Sequence, residues 1–376
     1  MKFNINKTVF TKALSHIQNI VEKRNTIPIL SNVKLLAKDN MIELSATDMD
    51  IALVEYLPTE VQIPGSITVP AYTLYDIVKK LPDDHQIIIS YDESKTNNLK
   101  ITSNNANFSL PVISADEFPN IESENMEHNF TLPRKDLLNL FDQAKVAIST
   151  EETRYYLNGI YFHDTKDSKG NDVIRAVATD GHRLARIEKK LVNGALNIPA
   201  IIIPRKTILE IIKILSESDD DKEVKISISK TKIRLEYGNA IILSKLIDGE
   251  FPDYEKVIPA NNNLTLRTPI KSFVNAIDRV STLSFDKGKT IKMTLNNNKL
   301  LLSADNSANG SAKEEISVDY NHTKIEIGFN YRYIMELTSV LDSDNIELFF
   351  ADGSSPTLIQ NAQNDSSLFV LMPVRV

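Results

Sequence analysis

The chain contains no cysteine. That absence removes disulfides, thiolate metal sites, cysteine nucleophiles and iron–sulfur clusters together, and it suits a reducing compartment better than a secreted life. Glycine is scarce, 11 among 376 residues, against a usual share of roughly 7%. Phosphate-cradling loops are built from glycine, and no such loop is present, nor is G-x-S-x-G or H-E-x-x-H. The six histidines, His16, His85, His128, His163, His182 and His322, are scattered, with no pair at metal-ligand spacing. Apolar runs such as IPAIII (198–203) fall far short of the ~20 residues that cross a membrane. The opening MKFNINKTVF lacks the apolar segment of a secretory signal. A cytoplasmic protein without metal or cofactor is therefore expected. Hydrophobic residues make up 42%, charged residues 25%, and the net charge is −7. These values describe a globular chain long enough for two or three domains.

What the chain does have is a repeat. ITVPAYTLYDIVKKL (67–81), IIIPRKTILEIIKIL (201–215) and IEIGFNYRYIMELTSVL (325–341) each join a strand-like run to a helical one. Leu74/Ile77/Val78/Leu81, Ile208/Ile211/Ile212/Leu215 and Ile334/Leu337/Thr338/Leu341 share the i, i+3, i+4, i+7 spacing of an amphipathic helix, and only Thr338 is polar. An earlier helix precedes each: Phe10/Ala13/Leu14/Ile17, Leu137/Leu140/Phe141/Ala144 and Phe273/Ala276/Ile277/Val280. Pro133 and Pro269 suit a first helical turn. Between the two helices lie MIELSATD (41–48), IRAVATD (174–180) and KLLLSADN (299–306), and related tails follow: EFPN (117–120), EFPDY (250–254) and MPVRV (372–376). Each segment reads as two helices with about eight short strands. Two helices cannot cover both faces of so much sheet, so they are expected on one side of antiparallel sheets, an α+β class. Polar stretches near Met126 and Asn263 place the domains at 1–125, 126–262 and 263–376.

Charge is unevenly spread. The six predicted helices (8–24, 71–81, 133–148, 204–216, 268–285 and 329–341) hold fourteen Lys and Arg against seven Asp and Glu, although the whole chain is acidic. If these helices share one surface, it attracts a polyanion. Lys and Arg are also simply good helix formers, so the asymmetry alone leaves both readings open.

The most enzyme-like string is ATDGHRLAR (178–186). Asp180 could orient His182 as a base, with Ser149 or Thr179 as nucleophile. The corresponding positions in the other segments are Asp48-Met49-Asp50 and Asn306-Ser307-Ala308, so the repeat needs no histidine there, and D-G is a common turn after a strand. Asp219-Asp220-Asp221 reads as a solvated loop. The apolar end SLFVLMPVRV (367–376) must be buried as a strand or used in an apolar pocket.

IPILSNV (27–33), RYYLNG (154–159), ATDGHRLA (178–185), IPRK (203–206), KLIDGEFPDY (245–254) and LMPVRV (371–376) together resemble the bacterial DNA polymerase III β subunit, the sliding clamp, over the whole chain. The resemblance implies a non-catalytic processivity factor of three similar domains. Two crescents would join head to tail into a ring whose twelve helices surround duplex DNA without reading its sequence. Polymerase III α subunit, clamp loader, other polymerases and repair proteins would bind through short peptide motifs.

Carried across by motif, the partner-peptide pocket comprises Arg154 and Leu157; Thr179, Gly181, His182, Arg183 and Leu184; Pro252, Lys256 and Val257; and Val370, Leu371, Met372, Pro373, Val374 and Arg375. Lys256 stands where the family commonly has Arg, which replaces a fork of donors by a point charge. Arg24 matches a DNA-contacting position. With it the helices offer Lys12, Lys23, Lys79, Lys80, Arg134, Lys135, Lys145, Arg205, Lys206, Lys213 and Arg279 to phosphate, with Lys271 and Arg332 in the same positive set. Glu151 stands where some members place a DNA-contacting Gln and is left out, because a carboxylate repels phosphate. Phe108 and Leu110 of an edge strand, facing Thr282 and Leu283 of a second copy, would form the dimer interface.

Overall fold

The computed structural model describes residues 1–23, 25–83, 86–120, 126–218, 220–284, 289–306, 310–361 and 364–376. Arg24, His85, Asp219, Ser307 and Ala308 lie outside the described residues. Six α-helices are present among the described residues: α1 Lys7–Ile20, α2 Ala71–Lys80, α3 Arg134–Ala144, α4 Arg205–Ser216, α5 Ile270–Ser281 and α6 Tyr331–Ser339. Each follows a strand with no intervening loop. Asn6 and Asn330 end strands and cap α1 and α6. Asn6 Oδ1 accepts from Thr8 N at 2.9 Å, and Asn330 Oδ1 accepts from Arg332 N at 3.1 Å. The other four strands end in proline: Pro70, Pro133, Pro204 and Pro269. Pro133 and Pro269, expected within the first turn, are thus the last strand residues. Proline has no N–H for the ladder and presets φ for the turn that follows.

The apolar faces follow the predicted spacing except at Ile77 and Leu341, which are half-buried. Phe10, Leu14, Ile17, Leu74, Val78, Leu137, Leu140, Ile208, Phe273, Ile277, Ile334 and Leu337 are all buried. Thr338 is buried too, and its hydroxyl donates to Ile334 O at 2.8 Å, which satisfies the one polar group in the set. α1 stops four residues short of the predicted end because Val21 is already extended (φ −74°, ψ 134°).

The chain packs as two compact units. The first comprises Met1–Lys135, Val192–Ala195 and Leu209–Leu246; the second comprises Asp136–Leu191, Leu196–Ile208 and Ile247–Val376. The first unit holds a five-stranded sheet, in edge-to-edge order Glu60–Ile63, Lys2–Asn6, Gln86–Ser90, Asn98–Ser103 and Ala106–Pro111. Its other sheet has nine strands: Ile113–Ser114, Gly65–Pro70, Asn32–Lys38, Met41–Thr47, Ile51–Pro58, Ala240–Lys245, Lys232–Tyr237, Glu223–Ile228 and His128–Pro133. The second unit holds an eight-stranded sheet of Ile201–Pro204, Gly159–Lys166, Asp172–Thr179, Arg183–Lys190, Asn364–Leu371, Thr357–Asn361, Asn345–Phe350 and Leu264–Pro269. Its four-stranded sheet runs Gly310–Ser317, Lys299–Asn306, Thr290–Asn296 and Ile325–Asn330. Neighbouring strands pair antiparallel throughout, as expected for an α+β chain. The repeat and the units do not coincide. Ile51–Pro58 of the first repeat pairs with Ala240–Lys245 of the second, and Arg183–Lys190 of the second with Asn364–Leu371 of the third. One continuous ladder bridges each pair of repeats.

Candidate functional site

The predicted pocket residues fall within the second unit, around one strand-end turn. Thr179 Oγ1 donates to Arg183 O (2.7 Å) and accepts from Gly181 N (3.1 Å). Asp180 Oδ1 accepts from His182 N (2.9 Å) and Arg183 N (3.0 Å), and its Oδ2 accepts from Arg183 Nε at 3.1 Å. Both carboxylate oxygens of Asp180, the supposed partner of His182, and the hydroxyl of Thr179, one of the two supposed nucleophiles, are therefore engaged in building the turn. The enzyme-like reading of ATDGHRLAR has no geometric basis. Gly181 is left-handed (φ +87°), which glycine adopts without strain, and a Cβ there would lie 2.7 Å from Arg154 Nη1, so a side chain would have to displace that guanidinium end. Glu151 holds that guanidinium, accepting from Arg154 Nε at 2.8 Å and Nη2 at 2.5 Å. The carboxylate strengthens the positive charge, raising the Arg154 pKa.

Beyond the turn, strand pairing assembles an apolar face. Leu184 pairs with Val370, and Val370 with Leu358; two residues along, Ile202, Tyr161 and Val177 continue toward Leu368. Because side chains alternate along a strand, these residues share one face. Leu157, Val177, Leu184, Ile202, Phe251, Tyr254, Leu368 and Val370 form a buried cluster, with Tyr156, Ile247, Ile258 and Leu358 packed against it. Val257 (52% exposed) and Met372 (40%) stand open nearby in the chain, as does Tyr155 (55%). Exposed apolar groups flanking a buried apolar cluster suit an apolar ligand.

The same alternation corrects two expectations. Arg183 and Leu371 pair with each other, one residue out of step with Leu184 and Val370, so their side chains leave from the opposite face. Leu371 is fully buried there. Arg183 is buried and tied to α6, with Nη1 2.6 Å from Glu336 Oε2 and its guanidinium 4.4 Å from the Tyr333 ring centre. Neither side chain is a pocket wall. His182 is exposed; its carbonyl accepts from Met372 N (2.9 Å) and its ring stacks on Tyr333 at 6.2 Å. Val374 N donates to Gly328 O at 2.9 Å, and a Cβ at Gly328 would meet Val376 Cγ1 at 2.2 Å. Val374 thus fastens the tail to the strand Ile325–Asn330, while Pro373 is half-buried and Arg375 exposed.

The segment carrying Pro252, Lys256 and Val257 is held from below by residues that the sequence reading missed. Arg175, 2% exposed, donates to Tyr254 Oη (2.8 Å) and Glu255 Oε1 (2.9 Å) and pairs with Glu188 Oε2 (2.8 Å). Burial lowers the His163 pKa, so its ring is neutral. Nε2 then accepts from Tyr254 Oη (3.2 Å) while Nδ1–H donates to Asp164 O (3.0 Å). Phe251 stacks on Tyr161 at 4.8 Å. Leu368 shares the face of Val370, two residues on, but neither it nor Arg175 nor His163 was legible in the sequence. Pro252 and Lys256 are exposed, and Lys256 pairs with Asp253 at 2.9 Å.

The helix cations divide. Lys12, Lys23, Lys79, Lys80, Lys135 and Arg205 are exposed, with Lys12 near Glu217 (3.3 Å) and Lys135 paired with Asp221 (2.6 Å). Lys145 is bound to Asp142, Lys206 is half-buried, and Arg279 is paired with Glu314. Two are corrected. Arg134 is buried, donating to Leu215 O (2.8 Å) in the last turn of α4, whose C-terminal carbonyls need donors, and to Asp220 O (2.8 Å) beyond the helix. Lys213 donates to Ser15 O at 2.8 Å. At the expected interface, Ala106–Pro111 is indeed a sheet edge, Phe108 is 38% exposed, Thr282 is exposed and Leu283 half-buried. Leu110, at 6% exposure, belongs to this unit's own core, so only its backbone is available to another chain.

The architecture is thus an antiparallel α+β chain with a threefold repeat and an apolar surface site on its second and third repeats. Three family models match it in succession: DNA polymerase III beta subunit, N-terminal domain at 1–122, central domain at 125–253 and C-terminal domain at 255–375. The chain belongs to the DNA polymerase III beta subunit family, the sliding clamps, non-catalytic processivity factors of replication. It is 41% identical to the beta sliding clamp of Caulobacter vibrioides and 35% identical to that of Pseudomonas aeruginosa, each alignment covering 100% of both chains. The crystal structure of a sliding clamp from Bartonella birtlesii bound to griselimycin matches with a TM-score of 0.95 at 42% identity, and that of Caulobacter crescentus polymerase III beta with 0.91 at 41%; both cover 100% of each chain. No helix among the described residues is long and apolar enough to cross a membrane.

Proposed function

We propose that this chain closes with a second copy into a ring around duplex DNA and tethers polymerase III α subunit, clamp loader and repair proteins through the apolar site at Leu157, Leu184, Val257, Val370 and Met372. The observation that carries the reading is a pair of unfilled strand edges. In the second and third repeats the third strand after the second helix is a junction strand: Ala240–Lys245 pairs with Ile51–Pro58, and Asn364–Leu371 with Arg183–Lys190. Their remaining counterparts, Ala106–Pro111 and Gly310–Ser317, are both edges. Exposed edges are normally covered, and different edges meeting head to tail close a ring only if the rotation allows. With Leu110 turned inward, the apolar contact falls to Phe108 and Leu283.

Domains of 1–125, 126–262 and 263–376 are consistent with the three successive family matches. The work is done in the cytoplasm, where chromosomal DNA lies. DNA contact is electrostatic and sequence-blind, through Lys12, Lys23, Lys79, Lys80 and the other exposed helix cations, with Arg24 and without Arg134. A short peptide with Leu and Phe anchors suits the pocket, and burying two such side chains contributes roughly 3–6 kcal/mol before ordering costs, a contact weak enough for partners to exchange. The test is retention on DNA after loading: the protein should stay on a closed circle at moderate salt and leave when the circle is cut. Equal dissociation from both would sink the ring.

A further inference from the structure

His16 of α1 lies between two carboxylates that come from different repeats. Its Nδ1 is 2.5 Å from Glu55 Oε1, on the strand Ile51–Pro58, and its Nε2 is 2.9 Å from Glu217 Oε2, just past the end of α4. A neutral imidazole has one N–H and can donate to only one of them, so this arrangement requires the doubly protonated ring. Burial opposes that charge, and the carboxylates of Glu55 and Glu217 outweigh it, so that the His16 pKa is raised from 6.5. Glu217 is shared: its Oε2 also lies 3.3 Å from the ammonium of Lys12, one turn earlier on α1. Other polar groups at this contact have partners of their own. Lys213 of α4 donates to Ser15 O at 2.8 Å, Glu210 accepts from Asn19 Nδ2 at 3.2 Å, and Tyr72 of α2 donates to Val21 O at 3.1 Å. Glu43 of the neighbouring strand is one residue out of step with Glu55, and so on the other face of the sheet.

Removal of the second ring proton acts on the two carboxylates unequally. The Glu55 side chain is 4% exposed and keeps the remaining N–H, whereas that of Glu217 is 29% exposed. A lone pair on Nε2 then faces the Glu217 carboxylate, two acceptors with no proton between them. Glu217 has room to turn, and the ammonium already beside it is that of Lys12, whose side chain is 55% exposed. We propose that His16 is a positioning residue for DNA contact: doubly protonated, it holds Glu217 and leaves Lys12 to a phosphate, and singly protonated it releases Glu217 to Lys12 and withdraws that ammonium. The proposal rests on the reading that the helix cations face DNA; the arrangement of His16, Glu55, Glu217 and Lys12 does not.

The test compares the full-length native protein with the exposed variant Lys12→Ala, as affinity for a labelled linear duplex over a range of salt. At about pH 6 the slope of log affinity against log salt should be shallower in Lys12→Ala by about 1, and at about pH 9 the two slopes should coincide. Glu217→Gln removes the competitor, so against Lys12→Ala/Glu217→Gln it should show the Lys12 contribution at both pH values. His16→Gln, which like the neutral ring has no charge to hold Glu217, should lack that contribution at both. A Lys12 contribution that is equal at both pH values in the native protein, or that still changes with pH in Glu217→Gln, overturns the proposal. Lys79→Ala/Lys80→Ala tells this failure from a failure of the reading beneath it. Affinity that ignores those two lysines and Lys12 alike takes DNA off the helix surface and this proposal with it, whereas affinity that depends on Lys79 and Lys80 beside a pH-independent Lys12 overturns the positioning role alone.

Discussion

Single residues here are assigned by the company they keep, and two cations make the point. Arg134 and Lys79 are both helix cations, yet Arg134 is buried against the carbonyls of Leu215 and Asp220 while Lys79 is exposed over the Tyr75 ring at 5.4 Å. Arg134→Ala should therefore cost roughly 2–4 kcal/mol of stability, having stripped buried acceptors of a charged donor, and leave the salt dependence of DNA association unchanged. Lys79→Ala/Lys80→Ala should do the reverse, lowering the slope of log affinity against log salt by about 1 for each ammonium in contact. Urea denaturation and salt-titrated DNA binding measure the two. His16 is the clearest buried titrating group. Burial alone would lower its pKa, but the hydrogen bond that Nδ1–H donates to Glu55 (2.5 Å) and the fields of Glu55 and Glu217 (2.9 Å) outweigh that, and the net shift is upward from 6.5. A raised folded pKa contributes stability that is complete below pH 6.5 and is lost as pH rises through the higher folded value. The melting-temperature advantage of the native protein over His16→Gln should shrink steadily toward alkaline pH. A constant difference would mean that His16 is not charged in the folded state.

At the scale of elements, the last strand serves both as core and as site. Asn364–Leu371 completes the eight-stranded sheet, Val370 and Leu368 face the apolar cluster, and Met372 to Val376 run on toward Gly328. Deleting Met372 to Val376 should abolish binding of a Leu/Phe partner peptide and polymerase processivity while leaving self-association intact, because neither unpaired edge lies in the tail. Calorimetry with the peptide reads the first effect, and an unchanged affinity would take the site off this surface. The opposite wall depends on Arg175 and Tyr254, which hold the Phe251–Val257 segment in place. Helix faces were legible from i, i+4 spacing, and the turn from T-D-x-x, because both are made by residues close in the chain. Which face of the last strand served the site was not legible. SLFV and LMPV are apolar at nearly every position, and alternation can be read only where one side is polar.

At the scale of the molecule, ring closure makes a geometric demand. The internal junctions pair Ala52 with Leu243 and Leu184 with Val370. Carrying that register through the hairpins Ser103↔Ala106 and Asp305↔Ser311 sets Ser109 opposite Ser311 of the second copy. The native chain has no cysteine, so Ser109→Cys/Ser311→Cys should oxidise to covalent dimers, directly opposed strand residues being within disulfide reach. Leu283→Asp should give monomers in sedimentation. Covalent dimers without a closed circle, or a dimeric Leu283→Asp, would place the interface elsewhere. By itself the sequence determined the repeat, six amphipathic helices with their buried faces, the proline or asparagine at each strand-to-helix step, and the strand-end turn shared by the first two repeats, all of them consequences of contacts a few residues apart. Tertiary structure alone decided that sheets run across repeat boundaries, that Arg134 caps a helix eighty residues away in sequence instead of facing phosphate, that Leu371 and Arg183 turn from the site, and that Arg175 supports it. Those outcomes depend on which distant strands pair and in what register, and a one-residue change of register reverses every side chain on a strand.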